Sequence, residues 1–203
     1  MSWSQVTTFG DLLVRGAEKY GSSEAVVVQD ERRSFEGLLA SATQFGRSLL
    51  GLGVGRGDAV GILMPNCIDF LEVMFGAALI GARTVPINAR FKDRELAYLT
   101  ENADLKVLVT SDIIDQHTDY VEILGNCLPG LSEAVDPTVL ELQIAPKLKS
   151  VVMLGQSSPT GMIDRELFQS LGEGISDNEV HRLRSRIAIR DIAMMMYTSG
   201  TTA

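Results

Sequence analysis

The sequence predicts an α/β protein built on a doubly wound, mostly parallel sheet with helices on both faces. Two observations predict it. Short apolar runs bounded by turn residues alternate along the chain with segments whose apolar residues recur at helical spacing. The segments between the runs are long enough to be helical crossovers, which parallel strands require and tight turns cannot supply. In such sheets ligands bind outside the carboxyl ends of the strands. The last residues, Met196-Tyr197-Thr198-Ser199-Gly200-Thr201-Thr202-Ala203, are a hydroxyl-rich stretch leaving an apolar run and fall at that place.

Thr8 can cap a first helix in which Phe9, Leu12, Leu13 and Ala17 recur on one side. Ala25 to Val28 reads as a strand and Gln29 to Arg33 as a turn. A helix then starts at Ser34 and ends near Leu50, where Gly51, Gly53, Gly55 and Gly57 break the pattern. Asp58 leads into the strand Ala59 to Met64. Asn66 is the expected cap of an apolar helix reaching Ile80, whose hydrophobicity on all sides predicts burial.

Arg83 to Ile87 is the next strand. Lys92 to Asn102 is an amphipathic helix with Leu96 and Leu99 inward and Asp93, Glu95 and Glu101 outward. The strand Lys106 to Thr110 follows, then a helix from Asp112 to about Leu124. Gly125 to Pro137 lacks a clear pattern and is expected to be a surface excursion. Ser150 to Leu154 is a strand, Asp164 to Leu171 a short helix, and Asp177 to Ile187 a charged helix. Ile192 to Tyr197 is a final buried strand. No internal repeat or low-complexity tract interrupts this order.

Composition narrows the function classes. The 203 residues are 45% hydrophobic and 22% charged, which is enough for a real core. Eighteen basic against 26 acidic residues give a net charge of −8 and leave no basic stripe for nucleic acid. The first basic residue is Arg15 with no apolar run before it, and the longest apolar run, Val73 to Ala82, is far short of the ~20 residues of a membrane span. A cytoplasmic protein without a transmembrane segment is expected.

Cys67 and Cys127 stand far apart with no histidine beside either, so both read as packing residues or free thiols. His117 and His181 are equally isolated and read as surface or capping residues. No metal site and no Ser-His-Asp set can be assembled from them. Gly51 to Gly57 superficially suggests a dinucleotide loop, but it follows a helix and precedes a strand, the reverse of the order that fingerprint needs.

The terminal stretch carries the strongest chemical signal. Gly200 lets the backbone turn so that successive N–H groups can converge on one anion, and Thr198, Ser199, Thr201 and Thr202 add hydroxyl donors around it. The plain alternative is a solvated polar turn. The spacing of a Walker loop, G-x-x-x-x-G-K-[ST], is absent.

The string Tyr-Thr-Ser-Gly-Thr-Thr after an apolar strand resembles the phosphate loop of the adenylate-forming (AMP-binding) enzymes. Four further stretches match that family's pattern in the same order. They are Ser34-Phe35-Glu36-Gly37-Leu38, Leu52-Gly53-Val54-Gly55-Arg56-Gly57-Asp58, Met64-Pro65-Asn66, and Ile80 to Asn88 ending in Val85-Pro86-Ile87-Asn88. Within the family, Pro86-Ile87-Asn88-Ala89-Arg90-Phe91 looks most like the acyl-CoA synthetases.

The resemblance implies an ATP-dependent ligase that joins a small-molecule carboxylic acid to coenzyme A through an acyl-adenylate, with Mg²⁺ accompanying ATP. It assigns Thr198, Ser199, Gly200, Thr201 and Thr202 to the ATP phosphates; no catalytic residue is assigned. The sequence departs from the family at Ala203, where Gly is usual. Downstream, the family's Thr-Glu metal ligand, ribose-binding Asp and Lys-bearing C-terminal domain have no counterpart. Residues 1–203 therefore read as the N-terminal part of an adenylation domain, expected to be inactive alone, with uncovered apolar surface that could also form a homo-oligomer. A non-catalytic binding or scaffold domain of the same descent is the alternative.

Overall fold

The computed structural model describes residues 7–197. Its elements in chain order are α1 (Phe9–Tyr20), β1 (Glu24–Val28), β2 (Glu31–Ser34), α2 (Phe35–Gly51), β3 (Ala59–Leu63), α3 (Ile68–Leu79), β4 (Arg83–Pro86), α4 (Asp93–Asn102), β5 (Leu105–Thr110), α5 (Tyr120–Cys127), β6 (Ser150–Met153), α6 (Arg165–Ser170) and α7 (Asp177–Arg184). Strands β4, β3, β5 and β6 lie side by side in that order, every pair parallel.

Both faces of this sheet are covered, which is why its strands are apolar throughout rather than alternating. All five residues of β3 are buried. Val60, Ile62, Val107, Val109 and Val152 join a core with α1, α2, α3, α6 and α7. Their neighbours Ala59, Leu63, Leu105, Leu108 and Val151 point the other way, into a core with α4 and α5. Gly61 has no side chain because a Cβ there would stand 2.8 Å from the methyls of Leu105 and Leu108.

The helix starts obey capping chemistry. Thr8, Ser34, Asp119, Asp164 and Ser176 each accept a hydrogen bond from a backbone N–H in the first turn of their helix. Helices α2 and α3 touch closely at Gly46 and Gly76, where a Cβ on Gly76 would come within 2.8 Å of the Ala42 carbonyl oxygen.

Six expectations are corrected. Strand β1 does not enter the parallel sheet but pairs antiparallel with β2. Only Gln29 and Asp30 separate them, and Gln29 takes φ 53°, so residues 31–33 form a strand instead of a turn. The charged run Glu31-Arg32-Arg33 hid that strand from an apolar-pattern reading. Helix α3 is capped by Cys67, without a side-chain hydrogen bond, rather than by Asn66.

Helix α5 begins at Tyr120, not at Asp112. Tyr120, Ile123, Leu124 and Cys127 give the inward stripe, and Asp119 is the cap. The stretch 125–137 is no simple surface excursion: Leu128 and Leu131 are fully buried and fasten it to the second core. The run 192–197 makes a single parallel bridge, Thr84 to Met194, in place of a full strand.

Candidate functional site

The chain approaches its terminal loop along the outer edge of β4. The Thr84 N–H donates to the Ala193 carbonyl at 2.9 Å and the Met195 N–H donates to the Thr84 carbonyl at 2.9 Å. Because the bridge is parallel, the segment advances in the direction of β4, toward the carboxyl end of the sheet. Met194 packs into one core, Met195 and Tyr197 against the other. The Tyr197 hydroxyl donates to Asn102 Oδ1 at 2.8 Å, and burial pushes its phenol above the ordinary value. Thr198, Ser199, Gly200, Thr201 and Thr202 lie outside the described residues, so the structure fixes the approach to the loop and not the loop.

Two neighbouring loops share the carboxyl end. After β4, Asn88 Oδ1 accepts from the Arg90 N–H at 3.0 Å, and the Tyr120 hydroxyl donates to the Ala89 carbonyl at 3.0 Å. This holds the backbone of the loop while Asn88, Arg90 and Lys92 stay exposed. On the side of β5 and β6, Asp112 accepts from the N–H groups of Gln156 and Ser157, at 3.0 and 2.8 Å for its nearer oxygen. Partial burial works upward on its pKa, but the Ser157 hydroxyl and those N–H groups outweigh it and hold the carboxyl below its ordinary value.

Beside them lies a polar cavity of about 300 Å³ lined by Arg33, Cys67, Asp69, Asp112 and Arg165 among others. The Arg165 Nε donates to the Leu154 carbonyl at 2.9 Å, and its terminal nitrogens pair with the Asp69 carboxylate, NH1 to Oδ1 at 3.2 Å. Arg33 reaches the buried Glu72 at 3.3 Å. Burial, then the nearby Asp69, raise the Glu72 pKa against the opposing pull of Ser41 and Arg33. Sequence reading missed this cluster, whose members come from β2, α3, α6 and two loops. Only Pro65-Asn66 just before α3, with Asp69 in the first turn of that helix, marks the spot.

The remaining candidates take no part. Burial raises the Cys67 thiol pKa and pushes that of Cys127 up to about 12, so neither supplies a thiolate. His117 is exposed and His181 sits in the last turn of α7. Among the described residues no group of three or more His, Cys, Asp or Glu is placed to hold a metal ion. The glycine-rich turn 51–58 lies at the opposite, amino end of the sheet. Its Gly55 N–H is taken by Asp58 at 2.8 Å and its Gly57 N–H by the Gly81 carbonyl at 2.9 Å, so neither amide is left for a phosphate.

A parallel four-stranded sheet flanked by helices on both faces matches the N-terminal domains of adenylate-forming enzymes. The AMP-binding enzyme family model matches residues 13–203, and the chain belongs to that family. It is 31% identical over 198 residues to YngI of Bacillus subtilis (strain 168), provisionally named an acyl-CoA synthetase, covering 97% of this chain and 36% of that one. It is 27% identical over 197 residues to the acyl-CoA ligase sidI of Aspergillus fumigatus, covering 96% of this chain and 32% of the relative. The crystal structure of the anthranilate CoA ligase AuaEII with anthranoyl-AMP superposes with a TM-score of 0.72 at 23% identity, covering 100% of this chain and 35% of that one; at that identity the likeness shows the fold. The chain thus spans about a third of the length of the relatives it matches.

Proposed function

We propose that the protein carrying this chain is an ATP-dependent carboxylate–CoA ligase. In the first half-reaction a substrate carboxylate attacks the α-phosphate of ATP, forming an acyl-adenylate and releasing pyrophosphate. In the second, the thiol of coenzyme A takes the acyl group and AMP leaves. The attacking carboxylate is already ionised, so no general base is needed for the first step. The work left to the protein is to hold the triphosphate and to meet the charge that grows on the leaving pyrophosphate.

Thr198, Ser199, Thr201 and Thr202 hydroxyls and the N–H groups around Gly200 are the groups we assign to that task. One observation carries the reading. The segment before them is seated on β4 and runs toward the carboxyl end of the sheet, where α/β proteins bind ligands. The contribution we assign to this stretch is made through hydroxyls and amides. Further parts of the reaction, including contacts to ribose and the acyl group, have no matching motif in these 203 residues, and we propose that they do not form an adenylate unaided.

Among the described residues no helix is long and apolar enough to cross a membrane. We place the enzyme in the cytoplasm, where ATP and coenzyme A are both supplied; fractionation of cells tests that placement.

The decisive assay is carboxylate-dependent exchange of labelled pyrophosphate into ATP by the gene product carrying this chain, across aliphatic and aromatic acids. Exchange with at least one acid, followed by thioester formation on adding coenzyme A, is the expected result. Absence of exchange with every acid, in a preparation that binds ATP, would overturn the reading. Exchange catalysed by the isolated 203 residues would overturn the claim about their incompleteness.

A further inference from the structure

The segment between α5 and β6 folds back on itself to leave a groove of about 620 Å³ between residues 133–136 and residues 139–144. That volume lies within the roughly 300–1,000 Å³ of binding pockets. Its floor is apolar and anchored, because Leu140 and Leu142 are buried in the second core. Its rim is apolar and bare: Val135 is fully exposed, and Val139 and Ile144 are 57% and 40% exposed. Between these stand three exposed carboxylates, Glu133, Asp136 and Glu141, with no basic side chain among the lining residues.

The groove is separate from the site of the proposed ligase reaction. The phosphate-loop approach lies beyond β4, at one edge of the sheet, whereas Leu140 hydrogen-bonds Lys149 just before β6, at the other edge. Three strand spacings, roughly 14 Å, separate the edges. Fixed apolar side chains exposed beside a groove tend to mark an interaction surface. The charge pattern selects the occupant. A second copy of this chain, with a net charge of −8, and an anionic lipid surface would both be repelled by three carboxylates.

We propose that this groove docks a short extended segment of another protein in which apolar residues alternate with lysine or arginine. The apolar residues enter between Val135, Val139 and Ile144, while the cations meet Glu133, Asp136 and Glu141. In an extended peptide successive side chains point to opposite sides, so the apolar residues can face the floor and the exposed valines while the cations reach the carboxylates that stand between them.

The test uses the whole chain and a fluorescent peptide of alternating leucine and lysine, read by anisotropy, with a leucine–glutamate peptide as control. Saturable binding of the lysine peptide alone is expected. The triple variant Glu133→Lys, Asp136→Lys, Glu141→Lys should weaken it at least tenfold, and Val135→Ser, whose fully exposed side chain can change without touching the core, should weaken it as well. A triple variant at exposed carboxylates elsewhere, Glu101→Lys, Glu122→Lys, Glu173→Lys, should bind as the parent does. Equal weakening by both triples would show attraction to acidic surface in general and overturn the proposal. So would self-association, or flotation with phosphatidylserine vesicles, that Val135→Ser abolishes.

Discussion

The glycine-rich turn before β3 and the loop after β4 are both short, polar and family-like in sequence, yet they use their charged side chains in opposite ways. In the turn, Asp58 Oδ2 accepts from the Gly55 N–H and from Lys106, both at 2.8 Å, and Lys106 also reaches the Gly53 carbonyl at 2.6 Å. Gly53 and Gly57 take φ of 73° and 87°, a conformation glycine adopts without strain. In the loop after β4, Asn88, Arg90 and Lys92 keep exposed side chains over a backbone held from beneath by Tyr120. The amides of Arg90, Phe91 and Lys92 are spent as well, on Asn88 Oδ1, the Asn88 carbonyl and Glu95, so the difference between the two ends lies in side chains: Lys106 and Asp58 are paired at the amino end, whereas Arg90 and Lys92 reach solvent at the carboxyl end. Glycine and polar residues alone do not make an anion site; what matters is whether their N–H and O–H groups remain unspent.

The largest effect that would sharpen this contrast lies in the terminal loop. Replacing Ser199 by Ala together with Thr201 by Val should lower carboxylate-dependent pyrophosphate exchange about 100-fold, the scale of losing a donor to developing charge. The melting temperature should hold steady. A matching fall in both would mean that these hydroxyls support the fold, and the distinction between the two ends would collapse.

Elsewhere in the chain, sequence reading succeeded at some elements and stopped at others. Strands β3 to β6 were legible because burial on both faces makes them continuous apolar runs, and the caps Thr8 and Ser34 because a hydroxyl before an apolar helix has a defined job. Strand β2 was not legible, since Glu31-Arg32-Arg33 pairs with β1 through backbone bonds that leave no apolar signature. The cluster of Arg33, Asp69, Glu72 and Arg165 was not legible either, because it arises only when residues as distant in sequence as Asp69 and Arg165 are folded together.

A smaller effect is expected at the amino end. Asp58→Ala leaves the Gly55 N–H without its acceptor and the Lys106 ammonium with the Gly53 carbonyl alone, a loss of about 2 kcal/mol. For a chain of this size that lowers the melting temperature by about 4–8 °C. The KM for ATP should not move. A raised KM with unchanged melting would place ligand contacts at the wrong end of the sheet.

Smaller again is Gly155→Ala, where a Cβ would lie 1.7 Å from Asp112 Oδ1 and would push the carboxylate off the Gln156 and Ser157 N–H groups. Losing these two exposed bonds should cost about 1 kcal/mol. The variant Asp112→Asn with Gly155→Ala should be little worse than Gly155→Ala alone, because both changes remove one contact. Additive losses in a melting experiment would show that the glycine is required for some other reason.

The subtlest test separates two carboxyl groups by the sign of their response to pH. Asp112 is held below its ordinary 3.8, so its contribution to stability is complete above that value and is lost as pH falls through the lower folded value. Glu72 is raised above 4.5, so the folded state binds its proton more tightly than the unfolded state does. Its charge therefore costs stability increasingly as pH rises from 4.5 through the folded value. Melting curves from about pH 3 to about pH 8 should show Asp112→Asn less stable than the parent at neutral pH and converging with it in acid. For Glu72→Gln the difference should shift in the variant's favour as pH rises, on top of a constant loss from the broken pair with Arg33. Should both variants change in the same direction with pH, either Glu72 is ionised at little cost inside the α2–α3 interface or Asp112 gains nothing from its two N–H donors, and the balance of burial against hydrogen bonding drawn for these two sites would be wrong.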